Sequence, residues 1–270
     1  MIELWKTKRI VVLVKTYPNL SKTYDETVCV AGIDLDSKEW IRLFPIRFRK
    51  LPEHKKFKKW QVIEALVQKT NDKFSRRESY RVKDDSIKII KEAPVRGSPK
   101  QKAEWWKFRN SILLPHLNKS IEELEELYQK NKISLGLIKP KELLDFYRAP
   151  MESCREWERA LIEGTQTLLF GGSYKTPLEK IPYKFSFKFM CNDEKCTGHD
   201  IMCEDWELLE SWRSWQKTYK TDDLLWQKFK EKYFDWMKKR DFYFIVGTES
   251  RFNNFLVIGL YYPPKFNDDS

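Results

Sequence analysis

The sequence has no apolar run near the roughly 20 residues that a membrane-spanning helix needs, so it predicts no membrane insertion. Its first nine residues, "MIELWKTKR", carry charge and a tryptophan where a secretory signal requires an apolar core. Both absences point to a cytoplasmic protein, in a compartment where thiols stay reduced. There are only five cysteines, and an odd count argues against a disulfide framework. Phosphate-cradling glycine loops are missing as well: neither a Walker A loop nor G-x-G-x-x-G occurs. H-E-x-x-H and the deaminase pattern H-x-E followed by P-C-x-x-C are also absent, which removes two familiar zinc chemistries. No internal repeat or low-complexity segment is present.

Charge and aromatic rings are plentiful. The 270 residues are 41% hydrophobic, 34% charged and 15% aromatic, with eleven tryptophans, as expected of a soluble globular chain with a substantial core. The formal net charge of +11 is unevenly placed. Residues 1–98 hold 23 Lys and Arg against 13 Asp and Glu, whereas the remaining 172 residues hold 28 against 27. A charge-rich surface everywhere would explain the total but not this asymmetry. Crowded cations gain free energy by releasing counterions from phosphates, so the first third is expected to meet a polyanion, RNA or DNA.

The order of elements predicts an α+β protein. "RIVVLVKT" (9–16), "TVCVAGIDL" (27–35), "WIRLFPI" (40–46), "WQVIEALVQK" (60–69) and "SIKIIKE" (86–92) read as strands of a curved sheet or partly open barrel. "EAPVRGSPK" (92–100) carries the Pro and Gly punctuation of a boundary. This divides the chain into a basic β-rich module, 1–98, and a helical/β module, 99–270, that holds the cysteine cluster. The middle reads as helical. One helix begins at Pro99 and ends or kinks at Pro115; a second has Ser120 and Glu123 spaced as a capping box; a third spans 155–169 and stops at Gly171 and Gly172. "YKFSFKFM" (183–190) reads as a strand. Leu208, Trp212, Trp215 and Tyr219, then Trp226, Phe229, Tyr233 and Trp236, form stripes at helical spacing; such stripes are core far more often than base-stacking platforms. The chain closes with a hairpin, "DFYFIVGTESRFNNFLVIGLYYPP", whose near-continuous apolar strands must be buried on both faces.

Two constellations carry chemistry. Cys191, Cys196, His199 and Cys203 form C-x4-C-x2-H-x3-C, with Gly198 allowing a tight turn. Three thiolates and an imidazole suit a tetrahedral structural zinc that pins a loop between strand and helix, because four protein ligands leave no open position for chemistry. In the alternative, Cys203 is simply a small buried residue. The second constellation is "RFRKLPEHKKFKKW", in which Arg47, Arg49, Lys50, Lys55, Lys56, Lys58 and Lys59 interleave with Phe48, Leu51 and Phe57. With Arg42, Arg76, Arg77 and Arg81, these residues are the candidate nucleic-acid contacts. The rings anchor the segment or stack on bases. A metal-dependent nuclease or other hydrolase acting on nucleic acid is a competing reading and would use Asp72, Glu78, Asp205 or Glu207. As structural residues, Asp72 would shape a turn, Glu78 would pair with an arginine and Asp205 would cap a helix. A third reading is a protein-interaction scaffold. Cys29 reads as strand filler, and His54 and His116 have no evident partners.

"YPNLSKTYDETVCVAGI", "WIRLFPIRFRKL", "CNDEKCTGHDIMCEDWEL" and "VIGLYYPP" together resemble a widespread family of prokaryotic proteins without an established activity. The likeness keeps its order over nearly the whole chain. In that family's pattern the position of Cys203 is often aliphatic, which implies a fourth metal ligand from elsewhere in the chain. Small basic proteins of this kind also look like accessory subunits of prokaryotic defence systems, such as the companion of a short Argonaute. That likeness implies a non-catalytic nucleic-acid-binding role beside a protein partner.

Overall fold

The computed structural model describes residues 4–21, 25–70, 75–91, 97–151, 181–248 and 254–265. Asp72, Cys154, the helix expected over 155–169 and its stop at Gly171 and Gly172 lie outside the described residues. Among the described residues, no helix is long and apolar enough to cross a membrane.

The first module is a five-stranded barrel, and it is closed. Around it run β1 (Lys6–Lys15), β3 (Asp25–Asp34), β4 (Trp40–Ile46), β6 (Ser79–Val82) and β5 (Val62–Lys69), and β5 returns to pair with β1 from Lys6↔Val67 to Val11↔Val62. Two short strands add to it, β2 (Asn19–Ser21) on β3 and β7 (Lys88–Lys91) on β5. Closure removes the open edges that a curved sheet would leave. Ile10, Val12, Val28, Val30, Leu43 and Ile63 fill the interior. The segment between β4 and β5 crosses one end of the barrel and drives Phe48, Leu51 and Phe57 into it, the two rings 4.9 Å apart and edge to face. These rings anchor the segment and are not available to stack on bases.

The second module is a seven-stranded mixed sheet. Its order is β10 (Glu142–Pro150), β11 (Tyr183–Met190), β12 (His199–Cys203), β14 (Phe255–Tyr261), β13 (Tyr243–Thr248), β9 (Leu135–Ile138) and β8 (Leu117–Asn118). The closing hairpin forms as expected, and every residue of both strands is buried. The middle of the chain is less helical than its sequence predicts, since β9 and β10 follow the second helix. Helix α1 (Pro99–Leu113) ends before Pro115 and is capped by Ser98 and Gln101 in a reciprocal box. Helix α2 (Ile121–Asn131) is capped by Ser120, which accepts from the Glu123 N–H at 3.2 Å. The Glu123 carboxylate, however, accepts from Lys119 N–H and not from the cap residue, so the box is half made.

Helices α2, α3 (Trp206–Trp215) and α4 (Asp222–Lys230) cover one face of this sheet through Leu124, Leu208, Trp212, Leu225 and Phe229. Both aromatic stripes are therefore core, apart from Trp236 at the far end, which is 42% exposed. The other face packs on the outside of the barrel: Val11, Leu13, Ala31 and Val62 meet Leu135, Leu137, Ile245 and Ile258. Strand β1 thus alternates between two cores, with Ile10 and Val12 inward and Val11 and Leu13 outward, which explains why its sequence reads as unbroken apolar residues.

Trp212 is fully buried against Phe185, Phe229 and Tyr183. Trp212→Ala should cost about 3–5 kcal/mol in urea unfolding, the range for large aromatic truncations. Trp236→Ala should cost less, about 1 kcal/mol, because its ring is 42% exposed and lies at the end of the stripe.

Candidate metal centre and basic surface

The turn between β11 and β12 is built from local hydrogen bonds. Asp193 accepts from the Lys195 N–H through its side chain at 3.0 Å and from the Cys196 N–H through its carbonyl at 3.1 Å. Gly198 has φ +98°, and a Cβ there would lie 3.2 Å from the Met190 sulfur. The left-handed backbone and the close neighbour both favour glycine, as the tight turn requires. This loop carries Cys191 and Cys196 back toward His199, whose register partner on β11 is Phe189. The Ser120 hydroxyl lies 3.3 Å from the Asp193 carboxylate and so ties the start of α2 to the same loop.

That tie supplies the fourth donor. Glu122, Cys191, Cys196 and His199 bring one ligand atom each into a group in which no pair exceeds 4.8 Å. His199 Nε2 is 3.3 Å from Cys196 Sγ and 3.3 Å from Glu122 Oε1. Bonds of about 2.0–2.3 Å to a tetrahedral ion give ligand–ligand edges of about 3.3–3.8 Å, so these contacts already have the right scale. Glu122 Oε2 is buried without a hydrogen-bond partner, an orphaned acceptor that a cation would satisfy. Two sulfurs, an imidazole and a carboxylate can hold a metal ion. Burial pushes the Cys191 thiol up to about 12, opposed by the Ile121 N–H at the start of α2, and a bound cation would favour the thiolate.

Cys203 is not part of this group. It sits four residues along β12 from His199, about 13 Å at strand rise, with Phe185 and Val257 as register neighbours. There it is packed in the apolar core, and burial holds its thiol well above the ordinary range. Periodicity explains the exchange of partners. The third thiol of the motif leaves the turn for the sheet, while an acidic residue 69 positions before Cys191 closes the set. Acidic residues in a first helical turn are ordinary complements of the helix dipole, so nothing in "SIEELEE" marks Glu122 as a ligand.

The candidate cations fall into separate places. Arg42 is buried and spans the two modules, donating to Thr248 O at 3.1 Å and to the Ser134 hydroxyl at 3.0 Å. Arg76 donates to Thr248 Oγ1 at 2.8 Å, and burial followed by the nearby Arg42 charge pulls it below its usual value. Lys59 donates to Leu260 O at 2.9 Å and pairs with Asp205 at 3.3 Å. Burial lowers Lys59, but Asp205 and Glu207 outweigh it and hold the ammonium above its ordinary range. These three expected phosphate contacts instead bond barrel to sheet, because burial on folding leaves a cation no solvent and forces it onto protein acceptors. Arg77 reaches Glu39 at 3.3 Å, and Arg81 is exposed on β6.

The other six lie on one segment. Arg47, Arg49, Lys50, Lys55, Lys56 and Lys58 sit on the crossing chain whose rings plug the barrel; Arg47, Lys50 and Lys58 are exposed, and Arg49, Lys55 and Lys56 are half-buried. Arg47 pairs with Asp84 at 3.0 Å, Arg49 with Glu26 at 2.9 Å, Lys56 with Glu53, and Lys55 donates to Asp85 O.

The nuclease carboxylates are engaged elsewhere. Glu78 is buried and accepts from the Ser134 N–H at 2.8 Å and from its hydroxyl. Asp205 caps α3 through the Glu207 and Leu208 N–H groups and also accepts from the Leu260 N–H at 2.9 Å. Neither these nor Glu207 join a group able to hold a metal among the described residues. Cys29 is half-buried on β3, with Arg42 Nη1 3.9 Å from its sulfur. His54 is exposed, whereas His116 does have a partner, the Trp40 ring 5.3 Å away.

Fold and site together define a two-module α+β protein with a mixed sulfur, nitrogen and oxygen donor group at the edge of its second sheet. By comparison with known families, residues 117–270 match the family described as Domain of unknown function (DUF8757), and the chain belongs to that family. Residues 6–114 match a second description, Domain of unknown function (DUF8758), so the two matches meet just after α1. No curated protein matches the chain.

The donor group predicts about one equivalent of bound metal per chain by elemental analysis. Cys196→Ser and Glu122→Gln should each lower that content and the melting temperature, whereas Cys203→Ala should leave the metal content unchanged. Loss of metal in Cys203→Ala with retention in Glu122→Gln would reverse this assignment.

Proposed function

We propose that the protein binds nucleic acid through the basic end of its barrel, with the second module as a rigid, zinc-pinned support. The single observation that carries the reading is the crossing segment: its apolar side chains are consumed by the barrel, while the six cations of the same short stretch stay outside that core, Arg47, Lys50 and Lys58 exposed and Arg49, Lys55 and Lys56 half-buried. The pairs that these cations make with the protein do not count against it. Exposed ion pairs are worth under about 1 kcal/mol, so a phosphate can replace the carboxylate partner of Arg47 or Lys56 at little cost. The charge surplus of residues 1–98 supports the same end of the molecule.

Zinc is the metal of this proposal because two thiolates and an imidazole select a borderline-soft ion, and four protein ligands close the site to substrate. A role beside a protein partner in a prokaryotic defence complex, as companion to an Argonaute, extends the proposal on the strength of the resemblance. Purification from the source cells with identification of bound protein tests that part separately.

Oligonucleotide affinity measured across a salt series tests the central claim. Each phosphate neutralised contributes a slope of about −0.9 for duplex DNA and about −0.7 for single strands. Replacing Lys50, Lys55 and Lys58 together by Ala should flatten the slope by about two to three units and weaken binding uniformly across sequences. An unchanged slope, or no retention of oligonucleotide at low salt, would sink this reading.

A further inference from the structure

A cleft of about 340 Å³ opens where the barrel end meets α3, lined by Lys15, Trp206, Glu207, Glu210, Ser211 and Ser214. That volume lies at the low end of small-molecule sites. We infer that Lys15 is a reactive amine presented to this cleft, and that the cleft takes a small hydroxy-aldehyde as a reversible imine on Lys15 Nζ. The inference stands apart from the nucleic-acid reading and uses none of its exposed cations.

Lys15 ends β1, so its backbone is held by the barrel while its side chain leaves the sheet. Its nitrogen sits 4.3 Å from the centre of the Phe48 ring and 4.9 Å from that of Trp206, and it donates to Phe57 O at 3.1 Å. Among the described residues, no carboxylate hydrogen-bonds it. Burial lowers its pKa to about 8, helped by Lys59 and Lys58 and opposed by Glu207 and Asp205, while the two rings favour the ammonium. At pH 7 about 10% of such an amine is unprotonated, against about 0.03% of an ordinary lysine. The Phe57 carbonyl accepts one N–H and leaves the nitrogen lone pair free to attack.

The remaining walls fit a hydroxylated carbonyl compound. Glu207 is largely exposed and lies 3.9 Å from Lys59, a distance that leaves its oxygens acceptor capacity. The Ser214 hydroxyl donates to Ser211 O at 3.1 Å and can still accept. In the step, the lone pair of Lys15 Nζ forms a bond to the carbonyl carbon and the C=O becomes C–OH. The nitrogen gives up its protons, Glu207 relays one to the carbinol oxygen, and that oxygen leaves as water. Amine plus aldehyde yields imine plus water, without oxidant or reductant.

Glyceraldehyde with sodium cyanoborohydride converts such an imine to a stable secondary amine, which peptide mass mapping locates on the wild-type protein. At pH 7 and limiting probe, Lys15 should be labelled at least tenfold faster than exposed lysines, with saturation in glyceraldehyde and a rate that climbs through pH 8. Ser214→Trp, at the mouth of the cleft, should suppress labelling of Lys15 and leave surface lysines unchanged. Labelling spread evenly over the lysines, or preference for Lys15 that persists undiminished in Ser214→Trp, would overturn the proposal.

Discussion

Burial of β1 on both of its faces is the constraint from which the rest follows. Ile10 and Val12 complete the barrel interior, and Val11 and Leu13 complete the layer between barrel and sheet. A strand shared by two cores joins them into one body, because neither core closes without it. It also carries polar groups into the junction, where they must find partners inside the protein. Arg42, Arg76, Glu78 and Ser134 answer that need on one side, and Lys59 and Asp205 on the other. Breaking either set would strand a buried charge, which costs far more than an exposed pair contributes.

The same constraint divides the positive charge. A cation near the junction becomes structural whatever its sequence context, whereas one on the segment crossing the barrel end stays outside because Phe48, Leu51 and Phe57 take the inside. Eleven residues that look equivalent in sequence therefore separate into buried bonds between modules and cations left on the outside of the barrel. Lys15 stands at the rim of the junction, where the barrel end meets α3. It is desolvated by the rings that plug the barrel and faced by the first turn of α3, and that burial lowers its pKa.

At the far edge of the sheet the donor group performs a comparable joining task. It links the first turn of α2 to the β11–β12 loop, two segments far apart in the chain, through Glu122 and the Cys-Cys-His set. A metal there would add stability where the apolar core thins toward solvent, since His199 and Glu122 are the partly exposed members.

Periodicity along the chain was enough to read the strands β1, β3, β4 and β5, the terminal hairpin, the two aromatic stripes and the cap at Asp205, because each depends on side chains within one element. It was also enough to bring Cys191, Cys196 and His199 together, since a glycine turn eight residues long confines them. What it could not reach were contacts between distant segments. Closure of β5 onto β1, the short strands β6 and β9, the strand β10, the removal of Cys203 into the core and the arrival of Glu122 all depend on which faces pack together. Alternation of side chains is a local property of the backbone, whereas the partner of a buried charge or a metal donor is chosen by burial, and burial exists only once the chain has folded.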